Sequence, residues 1–150
     1  MPKNLPRKQA KKKTMVEIEM DYEGQLRCRA RHEPSGAVIE TDAPVDNQGR
    51  GESFSPTDLV ATALVTCMAT IMGIAARERE IDLAGLRMVV KKEMAPDLPR
   101  RIKALHLEVF VPVGEEHPDR RVLEKAAMTC PVHESIHPGI EVAIQWHWEG

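Results

Sequence analysis

An α+β fold with the element order βββ-α-ββ-α-α-β and an antiparallel sheet follows from three features of the 150-residue chain. Two segments near the start alternate apolar and polar residues with period two, the mark of strands with one covered face. Residues 59–76 (LVATALVTCMATIMGIAA) carry no charge and follow a helix-start signature. The remaining strand-like segments are neighbours in sequence rather than separated by helices, which disfavours a parallel doubly wound sheet.

The elements read in order as follows. In residues 15–20, Val16, Ile18 and Met20 share one face while Glu17 and Glu19 share the other, a half-buried strand. Tyr22-Glu23-Gly24 reads as a turn. Residues 25–31 alternate again, with Leu26, Cys28 and Ala30 inward and Arg27, Arg29 and Arg31 outward. A short third strand near Ala37–Thr41 follows Pro34-Ser35-Gly36 and completes an antiparallel meander. Residues 42–55 form a loop rich in Gly, Asp and Pro, of a length that often carries function. Ser55 is placed to cap the helix that follows, with Pro56 in its first position and Asp58 three residues after the cap.

A helix over 59–76 is apolar all round and is expected to be buried on every side. One sheet covers only one side of it, so a second subunit is the natural cover for the rest. Residues 85–94 and 101–112 read as two strands split by Pro96–Pro99. Pro118 opens a second helix to about Met128, Cys130-Pro131 opens a short third, and Pro138-Gly139 stops it. Residues 140–148 alternate through Ile140, Val142, Ile144, Trp146 and Trp148 and form the last strand.

Composition narrows the function. The chain is 42% hydrophobic and 29% charged, which excludes disordered and low-complexity classes. Aromatic residues are 3% of it, too few for base-stacking platforms. Net charge is −2, but six basic residues and no acid fall in residues 1–14, leaving 15 basic against 23 acidic residues in the rest. The acidic body does not suit nucleic acid, and residues 1–14 are expected to be a disordered basic tail ahead of one domain over 15–150. No apolar stretch follows those charges, so no signal peptide is read, and a membrane-spanning role for 59–76 is disfavoured by its threonines, glycine and alanines. Three cysteines without a secretion signal point to a reducing, cytoplasmic setting.

Each cysteine has its own surroundings. Cys28, on the inward face of a strand, reads as an inert buried thiol. Cys67 lies mid-helix in line with Leu59, Ala63 and Ile71, which by itself reads as core. Cys130 lies at a helix start, where amide groups and the dipole lower a thiol pKa; a reactive role and a structural one are both open. Residues 133–137 spell His-Glu-Ser-Ile-His, the H-E-x-x-H pattern of zinc proteases. Pro131 and Pro138 leave only about two turns of helix for it, where such a site wants a long rigid one, so no metal is expected. Asp58, Glu52 and Arg50 cluster in sequence around the helix entrance, where capping and solvated loop charges account for them.

Two motifs carry a resemblance. Ser55-Pro56-Thr57-Asp58-Leu59 through Cys67, and Cys130-Pro131-Val132 with His137-Pro138-Gly139-Ile140-Glu141-Val142, resemble the OsmC/Ohr family of osmotically induced and organic-hydroperoxide-resistance proteins. The resemblance spans about residues 15–148. It implies an intertwined homodimer of α+β subunits with the central helices buried between sheets. It implies that Cys67 attacks the peroxide and that Cys130 resolves the product as a Cys67–Cys130 disulfide, which an external dithiol reduces. An arginine and a carboxylate activate the family's attacking cysteine. Here Thr57 stands where the family's carboxylate follows the proline, Asp58 is one place on, and Arg50 is the arginine candidate with Arg29 behind it. The function so implied is a thiol peroxidase for organic hydroperoxides without metal or organic cofactor. Its rivals are a redox-sensing or binding protein of the same fold, and a metal site at Cys130, His133 and His137.

Overall fold

A computed structural model describes residues 15–150 and divides them into two compact units, 15–54 and 55–150. The expected basic tail, 1–14, lies outside the described residues.

The first unit is the expected antiparallel meander: β1 (Ile18–Gly24), β2 (Arg27–His32) and β3 (Val38–Asp42), in that spatial order. Its register puts Met20 opposite Ala30 and Ala30 opposite Ile39, so one face is apolar. The other face pairs Glu19 with Arg31, at 3.2 Å between charged atoms, and Asp21 with Arg29. The alternation is therefore real, but half-burial is not: Met20 is 58% exposed and Tyr22 61%. Nothing else in the first unit covers this face. The turn also falls later than expected. β1 continues through Gly24, and Gln25 and Leu26, both with positive φ, make the reversal. A single 3-10 turn at Val45–Asn47 interrupts the loop that follows.

The second unit packs a long helix, α1 (Pro56–Arg77), against a three-stranded sheet of β4 (Arg87–Met94), β5 (Ile102–Val111) and β6 (Glu141–Trp148). β5 is central, and its Leu105, Leu107, Val109 and Val111 are buried almost completely. α2 (Arg120–Met128) adds Leu123 and Ala127 to the same core, and α3 (Pro131–Ser135) follows it. β4 and β5 are antiparallel, whereas β5 and β6 run parallel, with Leu105 opposite Val142 and Val109 opposite Trp146. The sheet is thus mixed rather than wholly antiparallel. Residues 112–140, with α2 and α3, return the chain to the same end of the sheet and so impose the parallel pairing.

α1 buries one stripe, Ala61, Leu64, Met68, Met72 and Ala76, at the spacing of a single helix face. The rest is half-exposed or exposed, so within one chain the helix is not buried on every side. Thr62, Thr66 and Thr70 each return their hydroxyl to the carbonyl one turn back, at 2.8–2.9 Å. Their polar atoms are thereby satisfied on the helix itself, which leaves that side as a methyl-studded apolar surface.

Candidate thiol site

Local sequence sets the start of α1. Ser55 Oγ accepts the Asp58 amide at 3.1 Å, and Asp58 Oδ2 accepts the Ser55 amide at 2.9 Å, a reciprocal capping box with Pro56 inside it. This is the arrangement expected from the sequence. The structure adds a partner: Lys92 of β4 places Nζ 2.8 Å from Asp58 Oδ1 and 2.7 Å from Thr57 Oγ1. Burial opposes ionisation of Asp58, but the hydrogen bonds from Lys92 and Ser55 outweigh it and hold the carboxyl below its usual range.

Lys92 escaped the sequence reading, although a signal for it exists. Met88, Val90, Lys92 and Met94 share the inward parity of β4, facing the buried side chains of β5. A largely buried lysine at an apolar position of a strand needs a partner for its charge, and Asp58 supplies it.

Cys67 and Cys130 come together in this unit. Cys67 is half-buried, one residue before the buried Met68, and packs against the core cluster that contains Cys130. Cys130 is fully buried and caps α3, its Sγ accepting the His133 amide at 3.3 Å. Both thiols are free. Burial pushes the Cys130 thiol up; the His133 amide pulls the other way, and the neighbouring Cys67 thiol raises it further. The sequence expectation was a lowered value at a helix start. Desolvation reverses it, because the amides at the start of a five-residue helix and its small dipole do not offset complete burial.

The other candidates stand elsewhere. Arg50 and Glu52 belong to the first unit: Arg50 donates to Gln25 Oε1 at 2.9 Å, and Glu52 pairs with Arg27 at 2.9 Å. Arg29 lies on the charged face of β2. Cys28 is half-buried, opposite Tyr22 and Thr41, rather than buried. The His-Glu-Ser-Ile-His stretch does not form one helix face. α3 ends at Ser135 and Ile136 is extended, so His137 stands outside the helix with its Nδ1 accepting the Gly139 amide at 2.8 Å. Among the described residues, the one cluster with metal-ligand spacing is Glu17, Glu19 and Glu33, on the surface of the first unit.

Comparison with known proteins agrees with this architecture. A family model described as OsmC-like protein matches residues 49–145. A crystal structure from Psychrobacter arcticus, of a protein provisionally described as an osmotic stress induced and detoxification response protein, is 47% identical. That match covers 89% of this chain and 96% of the other, with a TM-score of 0.83. An organic hydroperoxide resistance protein OsmC from Legionella pneumophila shares 15% identity over 89% and 96% of the two chains, with a TM-score of 0.71. An organic hydroperoxide resistance protein from Elizabethkingia anophelis shares 17% identity over 90% and 98%, with a TM-score of 0.70. The last two show the shared fold. A comparison with curated proteins finds no match.

Proposed function

We propose, because this chain belongs to the OsmC-like protein family, that it reduces organic hydroperoxides with Cys67 and Cys130. The observation that carries the reading is that Cys67 packs against the core cluster containing Cys130, a residue 63 positions away. The Cys67 thiolate attacks the distal peroxide oxygen, the O–O bond breaks, and the alcohol leaves with a proton. Cys67 is then a sulfenic acid. The Cys130 sulfur displaces water from it to form a disulfide, and an external dithiol returns two electrons and two protons. In this order the half-exposed thiol meets the substrate, while the fully buried one, held as a thiol by desolvation, is kept for the second step. Asp58, in the same unit as both cysteines, is the carboxylate of this reading.

The same reading makes the chain a cytoplasmic homodimer. The exposed apolar face of β1–β3 and the uncovered side of α1 support a second copy as their cover. A second functional reading, redox sensing with little turnover, is favoured by Asp58 being committed to Lys92 and Ser55 rather than free to hold an arginine. Stopped-flow consumption of cumene hydroperoxide by the reduced protein tests the choice. Peroxidase activity predicts rapid second-order decay that Cys67→Ser abolishes; equal rates for the two proteins would overturn the reading.

A further inference from the structure

We propose that a cavity at the start of α1 binds a small organic molecule with an apolar body and a carboxylate head. The proposal goes beyond the thiol reading and uses neither cysteine. The cavity has a volume of about 470 Å³, within the range of small-molecule sites. Its apolar walls are Val60 of α1, Ile102 of β5, and Ile136 and Ile140 from the segment between α3 and β6.

Its polar side chains are Thr57, His137 and Arg101, and among the described residues no carboxylate lines it. A count of lone pairs shows what the first two offer. Ser55 Oγ accepts the Asp58 amide at 3.1 Å and Lys92 Nζ at 3.4 Å, which fills both of its lone pairs. Its own proton therefore goes to Thr57 Oγ1, 3.2 Å away. Thr57 Oγ1 also accepts Lys92 at 2.7 Å, so it can accept no more, and its proton remains for a ligand. The ammonium on its oxygen strengthens that donor. His137 arrives at the same result by another route. Its Nδ1 accepts the Gly139 amide at 2.8 Å, which leaves Nε2 to carry the ring's N–H. Gly139 permits the fold of the ring over the backbone, since a Cβ there would stand 2.8 Å from Nδ1.

Arg101, at the same cavity, spends its guanidinium on Asp97 and the Pro99 carbonyl. Two uncommitted donors and no anionic wall complement a group that accepts twice and carries negative charge. A carboxylate does both. An ammonium head finds no acceptor among these side chains, and a neutral alcohol uses less of what is offered.

The test is calorimetric titration of the reduced full chain with octanoate, octanol and octyltrimethylammonium. Octanoate is expected to saturate at one per chain and to bind at least about tenfold more tightly than either of the others. Thr57→Val is expected to weaken octanoate about tenfold, the loss of one charge-assisted hydrogen bond, and to leave octanol unchanged. Ile136→Trp, which fills the cavity, abolishes binding; Val60→Phe serves should that variant not fold. Absence of saturation, equal affinity for the cation, or indifference to Thr57→Val overturns the proposal. A change of sedimentation in Ile136→Trp without any octanoate binding in the unmodified chain also overturns it, by assigning the cavity to a second copy. Peroxide takes no part in these measurements, so failure of this site and failure of the peroxidase reading are separate results.

Discussion

Lys92 reaches Asp58 from the apolar face of β4, Nζ to Oδ1 at 2.8 Å, with 15% of the lysine side chain exposed. The contact ties the first turn of α1 to the sheet across 34 residues of sequence and gives a carboxylate already used as a cap a second, charged partner. Lys92→Met is expected to cost about 1–2 kcal/mol in urea unfolding, a value between a surface ion pair and a buried one because Asp58 is partly open to water. A variant as stable as the parent would show the pair to be energetically idle.

The same pair sets a pH dependence. The folded Asp58 carboxyl lies below its unfolded value, so its contribution to stability is complete above the unfolded pKa, about 3.9, and is lost as pH falls through the folded one. Asp58→Asn is expected to flatten the acid limb of stability against pH below about 4. An unchanged acid limb would contradict the assignment.

Cys130 acts at the other end of the scale. Burial raises its folded pKa, so the folded chain keeps a proton that the unfolded chain has lost at alkaline pH. Its contribution to stability is complete below the unfolded thiol pKa, about 8.5, and fades as pH rises towards the folded value. Urea midpoints should fall with pH above about 8.5 in the parent and less so in Cys130→Ala.

Oxidation by one equivalent of organic hydroperoxide is expected to join Cys67 to Cys130 and leave Cys28 reduced. Peptide mapping reads the linkage. A bridge through Cys28, or a lasting Cys67 sulfenic acid beside an untouched Cys130, is the contrary result.

Sedimentation at micromolar concentration is expected to show a dimer. Exposing one apolar side of α1 together with Ile18, Met20 and Tyr22 costs several kcal/mol at about 25 cal/mol per Å². Met20→Glu, on the uncovered face of β1, should shift the equilibrium towards monomer. A well-folded monomer in the parent chain would refute the assembly.

What the sequence by itself determined is the part governed by near neighbours. The Ser55–Asp58 box lies within four residues, and the α1 boundary followed from it. Side-chain alternation specified β1, β2 and β6, because successive residues of a strand point to opposite faces wherever the strand is placed. The two motifs around Cys67 and Cys130 also sufficed for the family. Tertiary structure decided what depends on distant partners. The alternation of β1 says which face is apolar, not whether anything covers it, and Met20 and Tyr22 on that face stay exposed. The direction of β6 relative to β5 depends on the path of residues 112–140. Cys130 has the helix-start position that lowers a thiol pKa, yet its full burial, set by packing against α1 and α2, raises it instead. Lys92 carries its own signal, a charge at an inward strand position, but the identity of the answering carboxylate required β4 to be laid beside the start of α1. Coupling between residues far apart in sequence is created by packing, and local spacing does not encode it.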